Sequence, residues 1–379
     1  MYRLALKMLF ADRGKYVMLL SGLVFATLLM TQQAGVFVGI LEWTKGNLKN
    51  MRAPIWVVDP KVEQVNEVKA LRDTDVTRVR SVPGVAWAVP MYWGILQARL
   101  IDGTFKPVQL VGLDNATMVG RPSQIVAGRI EDLRLPNAVI IDELAIERLS
   151  RGRPRPIGLG DIFEMNDKEA RIVGICRTEK SFFGYPYIFS TYDQALQFAP
   201  KVRKMLSYIL VAPKEGRSIA EVVANIRSET GLMAYSEEHF GISTVRWFFR
   251  NTGIPTSFGM TIVLGFIVGV AVAGQTFYAF ILENLRHFGA LKAMGASDGL
   301  LTRLVLLQAF AVGAIGYGIG LGVTVLIGSM FLKKGMPPFS LPWFIPVATL
   351  GAILFICAIA AAFGIRKIRQ LEPAIVFRG

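Results

Sequence analysis

Histidine and cysteine are nearly missing from this 379-residue chain, which has two of each. His239 and His287 are separated by an apolar run of membrane-spanning length, and neither has a Cys or acidic cluster at metal-ligand spacing. No metal centre and no histidine-based catalysis is expected. Cys176 falls in a polar block and Cys357 deep in an apolar run, so the two thiols occupy different solvents and imply no disulfide framework. A G-x-x-x-x-G-K-[ST] phosphate loop is also lacking, so if ATP drives this protein another chain binds it. Ser181, Ser190 and Ser207 lack a nucleophile-elbow pattern and a nearby His. Asp59, Asp161 and Glu164 could pair in space, but exposed carboxylates are the norm for such domains, and no catalytic residue is assigned.

What is abundant is apolar sequence in blocks: 53% of residues are hydrophobic and the mean hydropathy is +0.44. Uncharged runs extend over Tyr16–Leu41, Phe258–Leu282, Leu304–Leu332 and Phe339–Ile365. Each exceeds the ~20 residues with which a helix crosses ~30 Å of hydrocarbon. The chain therefore reads as a membrane α-helical protein with four transmembrane helices in a one-plus-three arrangement. A large α+β extracytoplasmic domain stands on helical stalks. The basic start and apolar core of the N-terminus resemble a signal peptide, but Gln32 and Gln33 follow a long run without an A-x-A site, and an uncleaved anchor is expected.

A formal charge of +14 would suggest nucleic acid in a soluble protein. Here the excess flanks the spans: Arg3, Lys7, Arg13 and Lys15 before the first, Arg286, Lys292 and Arg303 between the second and third, Arg366, Lys367, Arg369 and Arg378 after the fourth. By the positive-inside rule both termini and the second-to-third loop are cytoplasmic, the large block is outside, and no nucleic acid is a partner. The expected divisions are a cytoplasmic interfacial helix at 1–15, spans at 16–41, 258–282, 304–332 and 339–365, and stalks at 42–54 and 236–257. The outer domain takes 55–235, a cytoplasmic loop 283–303, a short outer loop 333–338 and a cytoplasmic tail 366–379. The interfacial helix rests on Leu4, Met8 and Leu9 facing away from Arg3 and Lys7.

Within the outer block, β-branched runs predict strands at 55–58, 85–89, 94–99, 108–111, 138–141, 170–175 and 208–211. Helices are expected at 63–72, 143–149, 192–198 and 219–229, the last capped by Ser218. In the spans, Gly265, Gly269 and Ala273, then Gly316 and Gly320, with Gly318 and Gly322, form small-residue faces that suit either packing within one bundle or a dimer interface. The aromatic loop Phe182-Phe183-Gly184-Tyr185-Pro186-Tyr187 suits either contact with an adaptor or amphipathic ligand, through Phe182, Phe183, Tyr185 and Tyr187, or packing on its own domain.

The most pointed segment is Glu283–Ser297, where Leu285, Phe288 and Leu291 make an apolar stripe, Gly295 is placed to end the helix, and Ser297 or Asp298 to cap the next. Such knobs suit a cytosolic docking partner or an interfacial helix alike. The segment resembles the E-R-x-R-E-I-G-x-L-R-A-x-G-A signature that follows the second span in permeases of the MacB/FtsX family of ABC transporters. Glu283, Arg286, Gly289, Leu291, Lys292, Ala293, Gly295 and Ala296 match in place or conservatively; Asn284 and His287 depart from it, His287 replacing the usual acid. Further blocks of the outer domain resemble the family in order: Val111–Asp114, Gly128-Arg129, Val139–Asp142, Gly160-Asp161 and Ile172–Ile175, then Leu371–Ala374 with Arg378 at the end.

The resemblance implies a non-catalytic subunit of the bacterial cytoplasmic membrane. Two copies, expected as a homodimer, would each couple to a cytosolic ABC ATPase that holds the ATP and Mg. Glu283, Arg286, Phe288, Gly289, Leu291, Lys292, Ala293, Gly295 and Ala296 would receive the force, and stalks around 42–52 and 236–257 would transmit it as rigid helices. Expected cargo is hydrophobic or amphipathic: a glycolipid, lipoprotein, haem or drug. Trp56–Pro60 and the lack of a fused ATPase resemble the DevC-like branch, which implies a periplasmic adaptor and an outer-membrane channel. Membrane lipids are the remaining partner. An FtsX-like regulator of a cell-wall hydrolase is the second reading, and a membrane-anchored enzyme the third.

Overall fold

The computed structural model describes residues 13–200, 206–333 and 338–369, so the expected interfacial helix and the C-terminal motif around Leu371 lie outside the described residues. The chain divides into two units, residues 1–40 with 253–379, and residues 41–252. In chain order the helices are α1 (Arg13–Thr44), α2 (Gly46–Met51), α3 (Asp73–Arg80), α4 (Glu143–Leu149), α5 (Tyr192–Phe198), α6 (Ile219–Thr230), α7 (Glu237–Asn251), α8 (Ile254–Glu283), α9 (Leu285–Ala293), α10 (Asp298–Lys333) and α11 (Phe344–Arg369).

Backbone polar groups find no partner in hydrocarbon, so long apolar runs close their hydrogen bonds within helices. Among the described residues four helices are long and apolar enough to cross a membrane, over Tyr16–Thr44, Ile254–Glu283, Asp298–Met330 and Phe344–Ile368. Their core joins Leu23, Ala26, Phe277, Val305, Ile353 and Ile356. The small-residue faces are used inside this bundle. A Cβ on Gly269 would lie 2.8 Å from Ala26 Cβ, one on Gly316 2.8 Å from Leu23 Cβ, and one on Gly320 2.6 Å from Thr27 Cβ. Gly265 likewise meets Leu29 and Met30. α8 and α10 thus both close on α1. By contrast Gly318 and Gly322 face open space.

The fourth span starts later than its apolar run. Leu341 precedes Pro342, which disfavours helical backbone at that residue, and α11 begins only at Phe344. The Phe339 ring instead fills the gap between Gly35 and Gly328, and the Ser340 amide donates to the Gly35 carbonyl at 3.0 Å.

The second unit is built on ten strands: β1 (Ile55–Val58), β2 (Val85–Arg99), β3 (Phe105–Leu113), β4 (Gln124–Gly128), β5 (Ala138–Asp142), β6 (Ile162–Met165), β7 (Lys168–Arg177), β8 (Tyr187–Thr191), β9 (Tyr208–Pro213) and β10 (Met233–Ser236). Their order is β10-β1-β9-β2-β3-β8-β5-β7-β4, with β6 paired to β2 and β7. β3 with β8, and β5 with β7, run parallel, and the other pairs are antiparallel. The two runs expected at 85–89 and 94–99 are one strand. Its first half pairs with β9 and its second with β3, so β2 is the spine shared by both halves of the sheet.

Local signals set several boundaries. Ser218 accepts from the Glu221 amide at the start of α6, and Asp142 from the Ala145 amide at the start of α4. Gly128 lies at φ +80 where a Cβ would strike the Val173 carbonyl, so only glycine fits that strand crossing. The helix expected at 63–72 is absent. Tertiary hydrogen bonds hold that stretch in a turn and irregular backbone: the Val65 amide donates to Thr244 Oγ1 at 3.0 Å, and the Tyr208 hydroxyl to the Val65 carbonyl at 2.7 Å. The helix forms instead at α3, where Asp75 accepts from the Arg72 amide at 3.0 Å.

The stalks are not continuous rods, which corrects the expectation of rigid helices over 42–54 and 236–257. Lys45 interrupts the first between α1 and α2, and Arg52, at φ 43, ends it. The second stalk breaks at Thr252-Gly253: Thr252 is extended, and Pro255 stands in the first turn of α8, where its missing N–H is no loss.

Candidate coupling helix and first stalk

Asn284 separates α8 from α9, its side-chain amide donating to the Phe280 carbonyl at 2.9 Å. At the far end Gly295 takes φ +94, the Ala296 amide returns to the Leu291 carbonyl at 3.0 Å, and the Gly295 amide to Lys292 at 3.0 Å. Ser297 Oγ then accepts from the Leu300 amide at 3.3 Å and opens α10, while Lys292 pairs with Asp298 at 3.1 Å. A nine-residue helix is thereby fixed between two turns of defined geometry.

The apolar stripe does not face a partner. Phe288, 1% exposed, and Leu291, 6% exposed, sit in the bundle core, with Leu285 packed against it. Gly289 is buried beside them. The exposed surface carries Glu283, Arg286, His287, Ala293, Gly295 and Met294, the last 76% exposed. Of the residues read as coupling contacts, Phe288 and Leu291 therefore anchor the helix and Arg286 faces outward, together with Met294, which that reading did not include.

The first stalk is held by buried amides that the sequence reading passed over. Asn47 Nδ2 donates to Asn66 Oδ1 at 3.1 Å, the Tyr187 hydroxyl donates to Asn47 Oδ1 at 2.6 Å, and Asn66 Nδ2 reaches the Thr44 carbonyl at 3.0 Å. Asn50 exchanges two 2.8 Å hydrogen bonds with the Glu179 backbone. Gly46 lets α2 approach so closely that a Cβ would lie 2.5 Å from the Lys180 carbonyl oxygen. The signal available in sequence was Asn47 and Asn50 spaced three apart, opposite the exposed Lys49.

Phe182 of the aromatic loop packs edge-on against Phe248 of α7, with ring centroids 4.7 Å apart, and Phe183 stacks on Tyr185 at 5.8 Å. Tyr187 is wholly buried. The loop is thus largely packed on its own domain, with Phe183 outermost. A groove of about 1430 Å³ runs beside α2, α6 and α7, lined by Lys45, Lys49, Ile219, Val223, Ile242 and Arg246. Arg227, Glu237 and Glu238 also line it, so its apolar side chains stand among charges of both signs.

The acidic residues do not form a site. Arg155 grips Asp161 with two hydrogen bonds of 2.9 and 2.6 Å and holds its carboxyl below the usual range. Glu164 meets Arg99 at 3.4 Å, and Asp59 accepts from the Lys61 amide. Among the described residues no three His, Cys, Asp or Glu side chains are placed to hold a metal. His239 Nδ1 lies 2.8 Å from Ser236 Oγ at the start of α7. Both cysteines are buried, and burial pushes the Cys176 thiol up.

The profile of the MacB-like periplasmic core domain matches residues 17–229, more than half the chain, and that of the FtsX-like permease C-terminal region matches residues 259–373. The chain belongs to the MacB/FtsX family of ABC transporter permeases. This permease is 25% identical over 308 residues to an uncharacterised ABC transporter permease of Mycobacterium bovis, covering 80% of this chain and 78% of that one. It is 25% identical over 328 residues to the macrolide export ATP-binding/permease protein MacB of Vibrio parahaemolyticus, 81% of this chain but 48% of that protein. Among solved structures, the periplasmic region of MacB from Actinobacillus actinomycetemcomitans is similar over 54% of this chain and 98% of its own, with 16% identity and a TM-score of 0.38.

Proposed function

We propose that this permease is the non-catalytic membrane subunit of an exporter that moves, or extracts from the outer leaflet, a hydrophobic or amphipathic cargo. ATP and Mg belong to a separate cytosolic ATPase chain, and the working unit is two permease copies, each with its ATPase. The observation that carries the reading is α9. It is a short helix rooted in the bundle by Phe288 and Leu291 and closed at its C-terminal end by the Gly295 turn, so a push on Arg286 and Met294 is delivered to the spans rather than absorbed in a loop. Charge distribution supports the orientation, with Arg286, Lys292 and Arg303 in the cytosol and the ten-stranded domain outside. The groove, lined by apolar side chains among charges of both signs, suits an amphipathic cargo.

The test is reconstitution of the permease with its partner ATPase, comparing Arg286→Glu plus Met294→Asp with the parent. Both residues are exposed, so the fold should survive, whereas Leu291→Asp would bury a carboxylate in the core. Loss of transport with ATP hydrolysis no longer responding to the permease is the expected result. Full coupling in the double variant overturns the reading.

A further inference from the structure

A cleft of about 410 Å³ opens on the ten-stranded unit, lined by Met51 and Arg52 at the end of α2, by residues 117–123 after β3, and by Trp87 of β2. Its walls are fixed by their own bonds. The Met118 amide donates to the Asp114 carbonyl at 3.0 Å and the Arg121 amide to the Met118 carbonyl at 3.2 Å, while Asp114 Oδ2 accepts from the Thr117 amide and hydroxyl at 2.8 and 2.7 Å. A Cβ on Gly120 would lie 3.3 Å from Leu210 Cδ1, so this loop is seated on the sheet. On the other side the Arg52 amide donates to the Leu48 carbonyl at 3.0 Å, and Met51 is buried.

Backbone and charge are both unusual here. Arg52 at φ 43 and Met118 at φ 53 hold left-handed backbone, whereas the other non-glycine positions of that kind among the described residues are Asn137, Asn166 and Asp167, residue types that tolerate it. β2 shifts register against β9 between Val85 and Trp87, a bulge at which the half-buried indole joins the cleft wall. No acidic residue lines the cleft. Among the described residues neither the Arg52 nor the Arg121 guanidinium has a carboxylate at ion-pair distance, although Glu237 feels the Arg52 charge. Two guanidinium forks offer more donors than one carboxylate accepts. They match a phosphate monoester, which brings three acceptor oxygens and about two negative charges. The indole adds a flat apolar face, and the exposed Ser123 a hydroxyl.

We propose that Arg52, Trp87, Arg121 and Ser123 form a binding site for a phosphate monoester of headgroup or sugar size. The two guanidiniums hold the phosphate, and the group it carries lies on the indole. A cleft of this volume holds a ligand of that size. A free sugar phosphate and a phosphorylated lipid headgroup share this chemistry, and the test separates them. The inference rests on the ten-stranded unit alone and not on the export reading.

The test titrates the full-length permease in amphipol with glucose 1-phosphate, with dihexanoyl phosphatidic acid and with glucuronate, a carboxylate on a similar ring, and reads binding by saturation-transfer NMR. Arg121→Gln and Arg52→Gln are separate variants at exposed side chains, so one remains informative should the other lose its melting transition. The expected result is saturable binding of glucose 1-phosphate, weakened about tenfold or more by each variant, with glucuronate about tenfold weaker than the phosphate. Trp87→Leu should weaken glucose 1-phosphate several-fold and leave inorganic phosphate unchanged. Tighter binding of the phosphatidic acid, lost in the same arginine variants, also supports the site and assigns it to a lipid headgroup. Absence of saturable binding by either phosphate ester overturns the proposal, as does binding that survives both arginine variants. Glucuronate binding as tightly as glucose 1-phosphate also overturns it and leaves the arginines for acidic side chains of a protein partner.

Discussion

The Tyr187 hydroxyl donates to Asn47 Oδ1 at 2.6 Å with both residues buried, so a strand of the sheet and the first stalk share one hydrogen bond that no solvent can replace. Removing the hydroxyl leaves the Asn47 carbonyl oxygen without that donor, which costs about 1–3 kcal/mol. Tyr187→Phe should therefore lower the unfolding midpoint of the purified permease measurably. Asn47→Ala, which also frees Asn66, should lower it further.

Asp142 predicts a pH dependence of known sign. Its buried carboxyl accepts from the Ala145 and Tyr187 amides and the Thr178 hydroxyl, yet burial outweighs these bonds and pushes its pKa up to about 6 from an ordinary 3.8. The folded state then holds the proton more tightly than the unfolded state. Its contribution is present in full below about pH 4 and is lost as pH rises through about 6, a difference of order 3 kcal/mol. Denaturant unfolding from pH 4 to 7 should show this falling component, and Asp142→Asn should remove it.

The glycine contacts in the bundle separate two faces of α10. Gly320→Leu must displace Thr27 and the Val24 carbonyl, 2.6 and 2.8 Å from a Cβ, and should cost about 1–3 kcal/mol or more. A Cβ on Gly318 meets nothing within 4 Å, so Gly318→Leu should cost the monomer far less stability. Thermal unfolding in detergent distinguishes them, and an equal loss for both would show that the second face is also packed.

Gly253 marks the break before α8. Its φ of −76 and ψ of 0 are open to any residue, and a Cβ there meets nothing within 4 Å. Gly253→Ala should stabilise the fold by about 0.4–1 kcal/mol by restricting the unfolded chain. If the break flexes during the transport cycle, the same substitution should lower turnover, read as ATP hydrolysis by the reconstituted complex.

Much of this architecture is legible in sequence because hydrocarbon imposes a strict rule: an uncharged run of the right length can only be a helix. The strands with β-branched runs and the helix capped by Ser218 are legible for local reasons of the same kind. What escapes is decided by distant partners. Residues 63–72 have helical composition but are held in a turn and irregular backbone by Thr244 and Tyr208, each more than 130 residues away in sequence. β8 starts on the last residue of an aromatic run that reads as a loop, and the Asn47–Tyr187 tie joins residues 140 apart. On α9 the periodicity located the helix correctly, but an apolar stripe does not say whether it meets its own bundle or a partner. Phe288 and Leu291 turn inward.

The central claim is that the exposed face of α9 lies in the cytosol and takes the push of a separate ATPase. The direct measurement is site-specific cross-linking from Met294→Cys to that ATPase in sealed vesicles of known orientation, with and without nucleotide. The account predicts a cross-link formed from the cytosolic side whose yield changes with nucleotide. Modification of the introduced cysteine only from the opposite side of the membrane would contradict it.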